Sequence, residues 1–127
     1  MIIKPDAVRD KHVGDILARV EKEGFEIGGL CMMELTKQQA EDFYAVHKER
    51  PFYAPLVAYM TGGPVIVAKL ERENAVELWR RVIGATDPAR AEPGTIRQLY
   101  GKSIESNAVH GSDSPRNGEI ETDFFFK

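Results

Sequence analysis

Apolar positions along this chain switch between two periods, and the switching lays out its elements. Ile2 and Ile3 open a short strand over residues 1–4, which Pro5-Asp6 stops. Val13, Ile16, Leu17 and Val20 then repeat at helical spacing, and Gly24 marks the end of that helix. Over residues 25–35 the odd positions are Phe25, Ile27, Gly29, Cys31, Met33 and Leu35, a period of two that predicts a long strand. Leu30 and Met32 make its other face apolar as well, so this strand is expected to be covered on both sides. Thr36 and Gln39 form a capping-box pair ahead of a helix with Ala40, Phe43, Tyr44 and His47 on one face. Pro51 interrupts, and residues 52–60 read as a short helix carrying Leu56 and Met60.

The second half repeats the scheme. Gly62-Gly63-Pro64 is a turn, and residues 65–68 are an unbroken apolar run that predicts a buried strand. Asn74 and Glu77 cap a helix with Ala75, Leu78, Trp79 and Val82, stopping near Gly84. Residues 85–103 carry no periodicity but hold Pro88, Pro93, Gly94 and Gly101. A loop of that length inside a small domain is uncommon and usually functional, and Ile96, Leu99 and Tyr100 mark it as ordered and packed. Ser114-Pro115 is a cap and first position of a short helix, and Ile120 leads into a last strand over residues 122–126. The strand-like character continues through Phe124-Phe125-Phe126-Lys127. Reduced to its core, the order is βαββαβ, an α+β ferredoxin-like fold. It implies a four-stranded antiparallel sheet with helices on one face and a long ordered loop. The other face is expected to be covered by subunit association.

Composition narrows the class. The 127 residues fit one domain, 1–127, and the strand-like ends suggest that a few terminal residues are missing. A net charge of -3 argues against general affinity for nucleic acid or anionic membrane. Cys31 is the lone cysteine, which excludes an internal disulfide and suits a reducing, cytoplasmic setting. Lys4, Asp6, Arg9 and Asp10 interrupt any leader-like start, and no apolar run reaches the length of a membrane span.

Candidate chemistry centres on His110. It stands between Val109 and Gly111, ahead of the Ser112-Asp113-Ser114-Pro115 helix start, where unpaired backbone donors and the helix dipole favour an anion. An imidazole there could act as base or nucleophile, or could be packed for structure. Asn107 could bind a hydroxyl or hold a turn. Glu121 could fix the tautomer of His110 or lie in solvent. Lys4 ends the first strand and can reach a cleft or blunt an edge. Arg80 and Arg81 end a helix, where cations are favoured anyway. Arg97, in the long loop, is suited to gripping phosphate oxygens in a fork, and little core packing is expected to depend on it. His12 and His47 have no partner nearby in sequence. Walker, dinucleotide-binding, protein-kinase and nucleophile-elbow signatures are absent.

Taken with its neighbours, the stretch Asn107-x-x-His110-Gly111-Ser112-Asp113 resembles the N-x-x-H-G-S-D signature of nucleoside diphosphate kinases. Ile3-Lys4-Pro5-Asp6, Arg50-Pro51-Phe52-Tyr53, Gly62-Gly63-Pro64-Val65, Gly84-x-Thr86-x-Pro88 and Pro93-Gly94-Thr95-Ile96-Arg97 are similar to further pieces of that family, in order along the whole chain. The resemblance implies a ping-pong transfer of the γ-phosphate of a nucleoside triphosphate, typically ATP, through a phosphohistidine at His110 to a nucleoside diphosphate. It implies that Lys4 and Asn107 hold the ribose 3′-hydroxyl and the moving phosphate. Arg80, Thr86 and Arg97 hold the phosphates, and Phe52, Leu56 and Ile104 take the base by apolar contact that discriminates bases poorly. Glu121 orients His110 with help from Ser112, and Tyr44 lines the site. Mg²⁺ is implied as cofactor, bridging phosphate oxygens with no direct protein ligand. A homohexamer or homotetramer is implied, with nucleic acid not expected as a partner. A histidine phosphocarrier would need His110 but not the nucleotide-facing residues. A ferredoxin-like scaffold for single strands would need basic and aromatic residues interleaved on its strands, which 25–35 lacks.

Overall fold

A computed structural model describes residues 1–126; Lys127, the end of the strand-like tail, lies outside the described residues. The four strands are β1 (Ile2–Ile3), β2 (Glu26–Met33), β3 (Val65–Glu71) and β4 (Val109–His110). They form one sheet in the order β2-β3-β1-β4, antiparallel at each pairing. The ferredoxin-like class expected from the pattern is the class observed.

Register follows from side-chain alternation. Ile3 stands opposite Ile66 on β3 and Val109 on β4, and all three face one layer of helix. That layer is α2 (Val13–Lys22), contributing Ile16 and Val20, and α5 (Ala75–Ile83), contributing Trp79 and Ile83. Ile96 of α6 (Ile96–Tyr100) closes the same core. Because β-strand side chains alternate, Ile2, Val65 and Val67 face the opposite way. They pack on Ala40 of α3 (Lys37–Phe43) and on Val57 and Met60 of α4 (Tyr53–Met60). The two crossover helices α2 and α5 therefore share one face, as the βαββαβ reading requires. The second face is covered by this chain's own α3 and α4, and not by a partner subunit. The unmatched apolar surface lies instead on the edge strand β2, where Leu30 and Met32 are 51% and 58% exposed.

Local signals account for most boundaries. The Thr36–Gln39 capping box forms in both directions and starts α3. Gly24, at φ +88, terminates α2 by letting the chain turn left-handed. Two expectations fail. Pro5-Asp6 does not merely stop β1: Pro5 is the first residue of a short helix, α1 (Pro5–Arg9), as suits a residue with no N–H to offer. The last strand over 122–126 does not form. Ser114 caps a helix, α7 (Pro115–Phe125), that runs through all but the end of that segment. Its aromatic end has strand propensity, but Phe125 and Phe126 are held by the α3–α4 core, and tertiary packing overrides propensity there. The fourth strand is instead the His110 segment itself.

Candidate active site

The nucleophile candidate sits on β4, a two-residue strand at the edge of the sheet. His110 pairs with Ile2, so its ring shares a face with Val67 and stands edge-on to Phe43 and Tyr44, at centroid distances of 5.6 and 6.3 Å. Its side chain is 23% exposed. Nε2 lies 2.7 Å from Oε1 of Glu121, and the Ser112 hydroxyl donates to the same carboxylate oxygen at 2.8 Å. Glu121 reaches the ring from α7, not from the start of a strand as the pattern suggested; about two helical turns after its cap, it projects back over β4. No protein hydrogen bond engages Nδ1 among the described residues. Burial lowers the imidazole pKa, while the Glu121 carboxylate works against that shift. The Glu121 contact favours the tautomer with its proton on Nε2 and a lone pair on Nδ1.

Lys4, at the end of β1, is nine-tenths buried and donates through Nζ to Oδ1 of Asn107 at 2.7 Å. Asn107 in turn donates from Nδ2 to the Thr86 carbonyl at 3.0 Å. One chain of hydrogen bonds thereby ties β1, the turn before β4 and the 85–95 loop. Burial and the nearby Arg97 charge lower the Lys4 ammonium to about 8.

Arg97 departs from expectation. It is not on a free loop but on α6, and its guanidinium donates to the Gly84 carbonyl at 3.0 Å and the Val109 carbonyl at 2.8 Å. Its Nε has no partner among the described residues. Packing therefore depends on it, contrary to the reading of a non-periodic loop. Burial, reinforced by Arg80, lowers the Arg97 pKa to about 10. Arg97 thus stands near enough to both Lys4 and Arg80 to feel their charges, and such a row of cations suits a multivalent anion.

The remaining expected residues are placed as follows. Tyr44 is buried, and its hydroxyl has no partner among the described residues; burial and Glu121 raise its pKa. Phe52 caps α4 and is 48% exposed, Leu56 lies one turn further along that helix, and Ile104 is 54% exposed on the loop before Asn107. Phe52 and Ile104 thus offer exposed apolar surface, while Leu56 is partly buried against the α3–α4 core. Among the described residues no cluster of three His, Cys, Asp or Glu side chains could hold a metal ion. Reading of the sequence missed Gly84, whose φ of +87 presents its carbonyl to Arg97. It also missed Asp6 and Tyr59. Asp6 was visible in the Lys4-Pro5-Asp6 run, but nothing in the pattern tells that it is 1% exposed.

A carboxylate-backed imidazole near the Lys4 ammonium, on a ferredoxin-like sheet, has the chemistry of a phosphotransferase site. Comparison with known proteins gives the particular one. The family model for nucleoside diphosphate kinase matches residues 1–127. The chain is 55% identical over 125 residues to the nucleoside diphosphate kinase of Geobacter sp. strain M21, covering 98% of this chain and 91% of that one. It is 49% identical over 126 residues to that of Persephonella marina, covering 99% and 90%. The crystal structure of the Aquifex aeolicus nucleoside diphosphate kinase superposes with a TM-score of 0.97 at 43% identity, over 99% of this chain and 92% of that one. The Halobacterium salinarum enzyme, solved in complex with CDP, superposes with a TM-score of 0.95 at 38% identity, over 99% and 84%. The chain belongs to the nucleoside diphosphate kinase family. Its activity is transfer of the terminal phosphate of a nucleoside triphosphate to a nucleoside diphosphate.

Proposed function

We propose that this transfer runs as two half-reactions through Nδ1 of His110. In the first, Nδ1 attacks the γ-phosphorus, a P–N bond forms, the bond to the β–γ bridging oxygen breaks, and the nucleoside diphosphate leaves with that oxygen. In the second, a terminal β-phosphate oxygen of another nucleoside diphosphate attacks the phosphohistidine and restores the neutral ring. Positive charge develops on the imidazole during attack. Glu121, already hydrogen-bonded to the Nε2 proton, stabilises that charge without moving. The observation that carries this reading is the Nε2–Glu121 contact of 2.7 Å, which leaves Nδ1 the nitrogen without a partner.

In this reading Lys4 and Asn107 grip the ribose 3′-hydroxyl and the moving phosphate. Arg80, Thr86 and Arg97 hold the phosphates, Phe52, Leu56 and Ile104 take the base, and Tyr44 offers its free hydroxyl near the nucleophile. The donor set fits a Mg²⁺ ion carried by the nucleotide: Lys4, Arg80 and Arg97 are cations, and Glu121 is engaged with His110 and Ser112. When bound, Mg²⁺ supplies charge neutralisation of the phosphate oxygens. The exposed Leu30 and Met32 on the β2 edge support a homo-oligomer, hexamer or tetramer. No helix among the described residues is long and apolar enough to cross a membrane; the free thiol of Cys31 fits a reducing, cytoplasmic setting.

Incubation with γ-labelled ATP tests the mechanism. Label should appear on the protein, be acid-labile and alkali-stable, and chase into triphosphate when ADP or GDP is added. Persistence of labelling and exchange in a folded His110→Ala variant would remove His110 from the role.

A further inference from the structure

Two residues before His110 the backbone takes a conformation that its sequence does not favour. Ala108 has φ +74, and the Val109 N–H donates back to the Asn107 carbonyl at 2.9 Å. A three-residue turn with a positive central φ is the rare, strained form of the γ-turn, and alanine has no intrinsic reason to adopt it. Such a conformation persists only when its surroundings over-determine it.

The surroundings are explicit. Ala108 is fully buried, and its carbonyl accepts from the Lys4 N–H at 2.8 Å. Its N–H donates to Oδ2 of Asp6 at 3.1 Å. The other carboxylate oxygen of Asp6 accepts the Tyr59 hydroxyl of α4, and the Asp6 N–H donates to that same hydroxyl at 3.2 Å. Asp6 therefore joins β1–α1, α4 and the turn before β4 through one carboxylate. Burial and Asp6 push the Tyr59 phenol up to about 12, so it stays a proton donor to that carboxylate.

On either side of the clamped peptide stand the groups that the reaction needs. Asn107 aims its amide at Lys4 and Thr86, and Val109 gives its carbonyl to Arg97. His110 follows directly. We propose that Asp6, held by Tyr59, is a positioning residue: it forces the 107–109 turn into its high-energy form and so sets the lines of approach of Asn107, Arg97 and His110 to the phosphate. Asp6 touches neither substrate nor the reacting atoms. The proposal rests on the reading of His110 as nucleophile, and a His110→Ala control tests that reading separately through loss of protein labelling.

Asp6→Asn keeps the volume but replaces the charged acceptor of both hydrogen bonds with a neutral amide whose NH₂ can only donate to the Tyr59 hydroxyl, so the clamp weakens. Misplacement on the scale of an ångström costs on the order of a hundred-fold in rate, so kcat should fall by about thirty- to a hundred-fold with KM changed by less than about three-fold. The decisive arm is rescue. Glycine adopts positive φ without penalty, so Asp6→Asn combined with Ala108→Gly should recover kcat by about ten-fold or more over Asp6→Asn alone. Where Asp6→Asn fails to fold, Tyr59→Phe removes a single hydrogen bond. It should still lower kcat by about five-fold and shift the ¹⁵N resonances of the His110 ring. A folded Asp6→Asn with unchanged kcat, a loss that Ala108→Gly does not restore, or a Tyr59→Phe variant with normal kcat and normal His110 resonances each overturns the assignment.

Discussion

Replacing Arg97 by alanine tests how the site and the fold share their interactions. The guanidinium bridges the Gly84 and Val109 carbonyls at 3.0 and 2.8 Å, joining the end of α5 to β4. A hydrogen bond from a charged donor contributes about 1.5–3 kcal/mol, and truncation leaves both acceptors unpaired, one of them on the fully buried Val109. Against this stands the cost of holding the cation there. Its pKa lies at about 10 because burial and Arg80 disfavour its charge. At about 1.4 kcal/mol per unit that is a penalty of roughly 3 kcal/mol, reduced because part of the side chain reaches solvent. The two terms largely offset, and the net loss of stability in Arg97→Ala should be about 1–3 kcal/mol.

Urea denaturation without nucleotide reads this as a midpoint lowered by roughly 1 M, given slopes of about 1–3 kcal/mol per M. The second consequence is functional. A bound triphosphate relieves the repulsion among Lys4, Arg80 and Arg97 in the native protein, so saturating nucleotide should stabilise the native chain more than the variant. Loss of a charge-assisted phosphate contact should lower kcat/KM by at least about ten-fold. Arg97→Lys should recover only part of either effect, because one ammonium cannot serve two carbonyls set apart in a fork. A midpoint that does not move in Arg97→Ala would refute the reasoning, since it would mean that the two carbonyl bonds contribute nothing net to the fold.

Three further outcomes follow from the geometry. The kcat/KM profile should fall as pH rises through about 8, where Lys4 loses its charge, and Lys4→Arg should move that limb upward. Stability should run the opposite way: the folded Lys4 value lies below its ordinary 10.5, so the unfolded chain holds more protons between about 8 and 10.5, and this residue's contribution to stability rises across that window. Gly84→Ala places a Cβ 2.5 Å from the Thr95 hydroxyl at a φ of +87, so it should lower the thermal midpoint and cost about 2 kcal/mol or more; an unchanged midpoint would show that the turn relaxes freely. Glu121→Gln should slow phosphohistidine formation by about ten-fold or more while nucleotide dissociation constants stay within about two-fold, because the carboxylate acts mainly on charge that appears during attack; an unchanged burst rate in rapid quench would eliminate its role.

What could be read ahead of the structure divides along a physical line. Elements fixed by local chemistry were legible: the Thr36–Gln39 box, Gly24 as terminator of α2 and the amphipathic α5 stand where their patterns put them, whereas β2 forms but with a register shift between Ile27 and Gly29, so that Ile27 packs on one core and Met33 on the other. Elements whose state depends on distant partners were not. The aromatic end of α7 has strand propensity and becomes helix because the α3–α4 core receives Phe125 and Phe126. Arg97 looked like a loop residue because the two carbonyls it bridges are separated from it by more than ten positions in either direction. The covering of the second sheet face could not be assigned, since α3 and α4 carry no mark of which face they will take.

The candidate site shows the same division within a few residues. His110, Ser112 and Glu121 are near neighbours in sequence, so their association is recoverable from spacing. The positive φ of Ala108 is invisible, because alanine is the residue least informative about a left-handed turn and its cause, Asp6, lies 102 positions away. The site combines costs that would be unfavourable alone: a strained peptide, an Arg97 that feels both Lys4 and Arg80, and a Tyr44 hydroxyl and Arg97 Nε without partners among the described residues. Each is offset by folding elsewhere, in a sheet whose core residues on both faces are almost completely buried. The cations and the free donors are the groups that a phosphate would satisfy, so part of what the empty fold gives up is returned on binding. That return is largest for the most highly charged ligand. In the proposed reading the base would meet only the apolar side chains of Phe52, Leu56 and Ile104, so such a cleft would discriminate on phosphate charge and position far more strongly than on the base.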